Sequence, residues 1–182
     1  MEVTETIEPA SRAEWRAWLE ANGSVKREIW LLSPKRGKTF TYVESVLEAL
    51  CFGWIDGIAK SLDSERTAQR FTPRRPKGNW TELNKERSLQ LIADGLMTPA
   101  GLAMLPDLTV AEVLVATDIQ KALNAEGAWA NFEGFPDLYR RIRIAHIEEA
   151  RRQPEEFQRR LEKFVSQTTL NKMYGGSEAT AK

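Results

Sequence analysis

The spacing of apolar and polar positions divides the chain into a first part with strands and helices and a second part with helices alone. Two helices of the first part begin with capping boxes, in which Ser11 or Thr41 precedes a glutamate by three residues and an apolar stripe follows. Strand-like runs occur at 3–7, 28–33, 54–62 and 68–73. Residues 1–75 are therefore predicted to fold as βαβα followed by a β-hairpin.

Beyond residue 75 the strand patterns stop and helical spacing takes over. Helices are predicted at 80–93, at 98–106, and at roughly 137–152 and 155–173. Thr98 followed by Pro99 is a typical start for the short helix. The last helix carries a core stripe at helical spacing, formed by Phe157, Leu161, Phe164, Val165 and Thr168.

These patterns predict an α+β fold, in which a small N-terminal mixed or antiparallel sheet with packed helices is followed by an all-helical C-terminal region. The length of 182 residues suits one ordinary domain or a small domain with an appendage. The expected parts are an α/β sheet domain, a helical connector packed on the sheet, a C-terminal helical region and a frayed tail, at 1–78, 79–107, 108–176 and 177–182.

The amino-acid composition excludes several classes of binding site and catalytic site. The chain has 26 Lys+Arg against 26 Asp+Glu, and this neutrality argues against long, non-specific nucleic-acid binding, which depends on neutralising phosphates. One Cys and one His exclude a disulfide framework and a Cys/His zinc cage, so neither a metal nor a cofactor is expected. The Gly-rich phosphate loop and the HExxH, CxxC and GxSxG motifs are missing from the sequence. An acidic start and the lack of a long apolar run predict a cytoplasmic protein with no membrane span.

The neutral total hides a segregation of charge. Residues 60–88 hold eight basic and four acidic side chains, whereas residues 89–136 hold one basic and six acidic side chains. The basic stretch is suited to attracting an anionic ligand, or the two stretches face each other or the solvent.

The single histidine and the single cysteine are both predicted to be structural. His146 lies on or beside the buried face of a predicted helix. Cys51 ends an apolar helix, and no basic residue next to it in the sequence lowers its pKa, so a buried thiol is expected.

The string Gly53-Trp-Ile-Asp-Gly57 joins a helix to a strand and allows two interpretations. In the first, Gly53 ends the helix, Trp54 packs in the core and Asp56 bonds to its own turn. In the second, Asp56 is a functional carboxylate at the sheet edge beside an indole, and acts as a hydrogen-bond acceptor or an acid/base group.

The segment 70–77 is basic and stiffened by two prolines, and Trp80 follows at a helix start. Basic side chains, an aromatic ring and free backbone N–H groups within ten residues are typical of an anion or phosphate site. The same features suit a stiff linker whose arginines pair with nearby carboxylates.

Several strings together resemble the YdeI/OmpD-associated, bacteriocin-protection family: Ala49–Gly57, Arg70–Arg74, Asn79-Trp80, Asn84-Lys85, Gly95–Gly101, Phe135-Pro136, Ala150–Pro154 and Arg159–Leu161. That family is named for association with porins and protection against bacteriocins, and its members generally lack an established reaction. The recurring positions that the resemblance assigns to this chain are Trp54, Asp56, Arg70, Phe71, Arg74, Trp80, Asn84, Met97 and Gly101.

Three functions follow as hypotheses. The first is a non-enzymatic, stress- or bacteriocin-resistance-associated binder of a small anionic or aromatic ligand between sheet and helices. Its candidate residues are Trp54 and Trp80 for stacking, Arg70 and Arg74 for charge, and Asp56 and Asn84 for polar orientation. The second is a nucleic-acid or protein interaction module that uses the basic segment 70–77 and the tail helices. The third is a hydrolase or transferase that uses Asp56.

Overall fold

The residues that the computed structural model describes are 2–36, 40–109 and 112–175. Over these residues the chain has four strands and eight helices, with helices dominating the C-terminal part, so the predicted α+β class is confirmed. The chain divides into two compact units, which we call unit 1 (Met1–Asn79 with Arg87–Leu108) and unit 2 (Trp80–Glu86 with Thr109–Lys182). The domain boundaries expected at 78 and 107 stay predictions, and the tail expected at 177–182 lies outside the described residues.

Unit 1 is built on a mixed sheet in the order β1-β2-β4-β3. The strands are β1 (Thr6–Ile7), β2 (Ile29–Pro34), β3 (Trp54–Ser61) and β4 (Arg66–Pro73). β1 runs parallel to β2, whereas β4 is antiparallel to both β2 and β3. β3 is therefore an edge strand, and its register shifts between Asp56 and Ala59, as at a β-bulge. The four predicted strands are confirmed, although β1 covers only the last two residues of its predicted run.

The first four helices are α1 (Arg12–Asn22), α2 (Tyr42–Cys51), α3 (Glu82–Ala93) and α4 (Pro99–Ala103). The predicted caps are present: the hydroxyls of Ser11, Thr41 and Thr98 each accept a hydrogen bond from the backbone N–H three residues later. α2 ends before Gly53, whose φ of +73° is the left-handed conformation that glycine adopts without strain. The sequence predicts these helix starts and this helix end because each depends on a single residue next to the helix, a serine, threonine or glycine.

The core of unit 1 lies where α1 and α2 pack on one face of the sheet. The ring of Trp15 on α1 lies 5.2 Å from that of Phe71 on β4, and the ring of Trp18 lies 5.9 Å from that of Trp54 on β3. The carboxylate of Glu48 on α2 is buried and forms ion pairs with Arg12 and Arg16 of α1, which ties the two helices together. A separate buried cluster, Trp30 with Leu32 and Ala68, belongs to β2 and β4.

The described part of unit 2 after residue 112 contains four helices: α5 (Thr117–Ala125), α6 (Trp129–Glu133), α7 (Asp137–Glu148) and α8 (Pro154–Thr169). The predicted stripe of α8 faces the core: four of its members are buried and Phe157 is partly buried. α5 and α6 were not predicted. Neither has a capping side chain at its start, and α6 has only five residues, so the local signals for a helix start are missing. None of the helices in the described ranges is long and apolar enough to cross a bilayer.

Candidate functional site

The candidate site of unit 1 centres on Asp56, in the edge strand β3. Asp56 pairs with Phe71 of β4 and therefore lies on the sheet face that carries α1 and α2. Its Oδ2 accepts a hydrogen bond from the hydroxyl of Tyr42, the first residue of α2. The register shift follows directly after Asp56, a place where bulges commonly redirect side chains next to functional sites.

Arg74 provides a buried positive charge near Asp56. Its backbone N–H donates to the Gly53 carbonyl oxygen at 2.8 Å, which fixes the chain immediately after β4. The residue is 7% exposed, and its Nη1 donates to the Asn79 carbonyl oxygen at 3.4 Å. Burial lowers the pKa of Arg74 to about 10, and the negative charge of Asp56 opposes that shift. We call Tyr42, Asp56 and Arg74 the sheet-edge cluster.

Tyr42 acts in this cluster as a hydrogen-bond donor. Partial burial of the Tyr42 hydroxyl raises its pKa, the hydrogen bond to Asp56 and the charge of Asp56 raise this pKa further, and the charge of Arg87 acts in the opposite direction. The phenol therefore stays protonated at neutral pH and orients the carboxylate. Sequence reasoning missed Tyr42, because its contact with Asp56 depends on the angle between α2 and β3, which no local pattern encodes.

A strained turn follows Arg74. The N–H of Gly78 donates to the Arg75 carbonyl oxygen at 3.0 Å, and Lys77 inside the turn has a φ of +59°. This left-handed conformation is unfavourable for a lysine. Arg75 and Lys77 are exposed, so the turn presents two cations next in sequence to the buried one.

Arg70 does not join the sheet-edge cluster. It pairs with Trp30 of β2, whereas Asp56 pairs with Phe71, the next residue along β4. Successive side chains of a strand point to opposite faces, so Arg70 and Asp56 lie on opposite faces of the sheet. Arg70 instead forms an ion pair with Glu28, with its Nε 2.9 Å from the carboxylate. The predicted role of Arg70 in binding a ligand stays a prediction.

Trp54 lies in the core. It is 1% exposed, its Nε1 donates to the Gly23 carbonyl oxygen at 3.1 Å, and its ring meets Trp18 edge-on. In this conformation its faces are covered by protein. The first interpretation of the Gly53–Gly57 string therefore describes the glycine and the tryptophan correctly, whereas Asp56 is held by Tyr42 of α2.

Trp80 and Asn84 belong to unit 2. Asn84 is buried at the start of α3, and its backbone N–H donates to the Thr81 hydroxyl at 3.2 Å. Trp80 is partly buried. The participation of these two residues in a common site with Asp56 and Arg74 stays a prediction.

Cys51 and His146 have the buried or packed positions expected for them. Cys51 is fully buried, which raises the pKa of its thiol, and a hydrogen bond with Arg16 opposes the shift. No basic residue flanks Cys51 in the sequence, but α1 brings this arginine to it in space. His146 is partly buried on α7, and its carbonyl oxygen accepts a 2.6 Å hydrogen bond from Arg160. The described residues contain no group of three His, Cys, Asp or Glu side chains suited to holding a metal ion.

The geometry of unit 1 and the helices of unit 2 define an α+β protein with a polar cluster at one sheet edge and a separate helical core. Residues 7–104 match the family profile of a domain of unknown function, DUF8412, over more than half of the chain, and the protein belongs to this family. Residues 112–170 match the profile described as "Bacteriocin-protection, YdeI or OmpD-Associated", which confirms the resemblance over that region. The strings between 49 and 101 fall in the first match. No curated protein and no solved structure matches the chain.

Proposed function

We propose that unit 1 binds a small anionic ligand at the sheet-edge cluster. The observation that carries this proposal is the burial of Arg74, which is 7% exposed and lies within electrostatic range of Asp56 in the edge strand. Removing a guanidinium from water is costly, and buried arginines are typical of sites that recognise carboxylates or phosphates, because the planar group donates two parallel hydrogen bonds.

The turn after Arg74 supports the same proposal. Non-glycine residues in the left-handed region persist where the surroundings hold them, and they concentrate at functional sites. Lys77 has this conformation and is exposed together with Arg75. Two exposed cations beside a buried one attract an anion and then strengthen its binding. Asp56, held by Tyr42, would orient Arg74 and accept hydrogen bonds from polar groups of the ligand.

We propose an anionic rather than an aromatic ligand, because Trp54 is covered by protein. The basic-segment alternative is weaker, since Arg70 is paired with Glu28 and Arg74 is buried, which leaves Arg75 and Lys77 as the exposed cations of the segment. A role in stress or bacteriocin resistance is proposed from the family description of residues 112–170.

The test is calorimetric titration of the full chain with inorganic phosphate and, separately, with succinate. Arg74→Met is expected to weaken binding of the preferred anion about tenfold or more, because a hydrogen bond to a charged group contributes about 1.5–3 kcal/mol. Arg75→Ala removes one of the two exposed cations of the turn and leaves the buried Arg74 in place. Arg70→Ala is the matched control, since it removes an arginine of β4 that lies on the sheet face opposite to Asp56.

Equal affinity in the wild type, Arg74→Met and Arg75→Ala would refute the proposal, as would a loss caused equally by Arg70→Ala. Circular dichroism of each variant separates a lost site from a lost fold. If phosphate and succinate both fail to bind the wild-type chain, the sheet-edge cluster is structural.

A further inference from the structure

Unit 2 contains an open groove between α5 and α8. Its volume is about 520 Å³. The residues that line it are Ala122, Ala125, Glu126, Gln158, Leu161, Glu162, Val165, Ser166, Thr169 and Leu170. None of these residues belongs to the sheet-edge cluster, so the groove is independent of the function proposed above.

The length of the groove and the small or apolar side chains that line it are suited to binding a helix. Its α8 wall runs from Gln158 to Leu170, and the twelve residue steps between them span about 18 Å at a rise of about 1.5 Å each, or more than three helical turns. Most of the lining side chains are small or apolar, and the small ones on both walls allow a third helix to approach closely. Leu170, at one end, is 58% exposed.

The charge of the groove determines whether a cationic or an anionic partner is favoured. Its two ionisable lining residues, Glu126 on the α5 side and Glu162 on α8, are both acidic and exposed. Glu162 accepts a hydrogen bond at 2.8 Å from Gln158, which holds the carboxylate on the groove wall. Lysine and arginine do not occur among the lining residues. A cationic partner is therefore favoured and an anionic one is repelled.

We propose that the α5–α8 groove binds an amphipathic helix of a partner protein, with the apolar face of that helix on Leu161 and Val165 and its lysines or arginines against Glu126 and Glu162. Helix-in-groove recognition uses an apolar stripe at i, i+3, i+4 and i+7, and the length of the groove accommodates such a stripe. The two carboxylates set which partner helices are accepted, and apolar burial provides most of the affinity.

The proposal is tested with a synthetic, fluorescently labelled 14-residue helical peptide that carries leucines at i, i+3, i+4 and i+7 and lysines elsewhere. Anisotropy titration of the full-length protein is expected to show saturable binding of this peptide and none of the matching peptide with glutamates in place of lysines. Glu126→Gln with Glu162→Gln should weaken binding about 2-fold to 30-fold, the range expected for the loss of two exposed ion pairs.

Two further variants test the location. Ala125→Trp fills the groove and Ser166→Arg adds a bulky cation, and both positions are exposed, so the fold should tolerate them. Each should abolish binding. The matched control, Glu133→Gln with Glu155→Gln, removes two carboxylates outside the groove and should leave the affinity unchanged.

Four results would overturn the proposal. The first is equal binding of the lysine and glutamate peptides, and the second is peptide binding that survives both groove variants. The third is binding of dodecylamine in the groove without binding of the peptide. The fourth is a dimer of this chain that either groove variant converts to monomer. Dodecylamine binding would identify a small amphiphile as the occupant, and the dimer would identify a second copy of the chain. Unchanged phosphate or succinate binding in the groove variants would show that the proposed function of unit 1 is separate.

Discussion

At the scale of single residues, Lys77 has a backbone conformation that lowers stability and a positive charge that the proposed anion site uses. Its φ of +59° costs a lysine roughly 1–2 kcal/mol relative to ordinary helical conformations, and glycine avoids most of that cost. Lys77 also supplies one of the two exposed cations of the turn. A glycine there should therefore stabilise the protein while weakening the proposed anion site.

We expect Lys77→Gly to raise the free energy of unfolding by about 0.5–1 kcal/mol, measured by urea denaturation, because the relief of strain exceeds the added chain entropy of glycine. The same variant should bind inorganic phosphate more weakly in the calorimetric titration. Lys77→Ala is the matched control, since it removes the charge and keeps the strained backbone. A stability gain in the alanine variant equal to that of the glycine variant would contradict this explanation.

At the scale of elements, the contact between α4 and the end of α2 depends on one glycine. A Cβ on Gly101 would lie 2.2 Å from the Cys51 carbonyl oxygen, an oxygen that also accepts hydrogen bonds from the N–H and the hydroxyl of Thr98. No side chain can rotate away to relieve this clash, because the atom it meets is backbone. α4 must therefore shift, and the Thr98 bonds must lengthen or break.

We expect Gly101→Ala to lower the free energy of unfolding by about 2–4 kcal/mol, the range of overpacking and of lost buried hydrogen bonds combined, although alanine is otherwise favoured in a helix. Gly134→Ala is the control: its Cβ meets its nearest atoms at 3.5 Å, so this change should be nearly neutral. Urea denaturation of both variants measures the difference. Equal stability of the two variants would show that α4 is free to move away from α2.

Comparison of elements also shows which features the sequence could predict. Capping residues predicted α1, α2 and α4, and the apolar stripe predicted α8, since each signal lies within the element itself. The candidate site depends on relations between elements. Asp56 was identified from its glycine-flanked string, but its bond from Tyr42 and the position of Arg70 on the opposite face depend on helix docking and strand register.

At the scale of the whole molecule, ion pairs within each unit engage several of the charged side chains of the basic and acidic stretches seen in the sequence. In the basic stretch, Arg66 pairs with Asp63, Arg70 with Glu28 and Lys85 with Glu82. In the acidic stretch, Asp118 pairs with Arg151. The stretch 60–88 is therefore not a continuous basic surface, and its exposed cations in the turn at 75–78 are a local feature suited to a small anion rather than to a long polyanion.

A neutral chain with one histidine also has a simple dependence of stability on pH. Burial, followed by the positive charges of Arg160 and Arg143, lowers the pKa of His146 below its ordinary value of about 6.5, and Glu149 and Glu156 act in the opposite direction. The unfolded chain therefore binds a proton near pH 6.5 that the folded chain resists. Stability should be complete above pH 6.5 and should fall as the pH drops through 6.5, until the folded histidine is itself protonated.

The window between pH 7.5 and 5.5 isolates this effect, because the carboxylates with lowered pKa values, such as Glu44 and Asp118, lose their contribution only below about pH 4.5. We expect the urea midpoint of the wild-type chain, followed by circular dichroism, to fall across this window. His146→Gln keeps a polar side chain of similar size and does not titrate, so its midpoint should stay level. A midpoint that rises on acidification, or an equal fall in His146→Gln, would mean that the helical packing around α7 does not oppose protonation of this histidine.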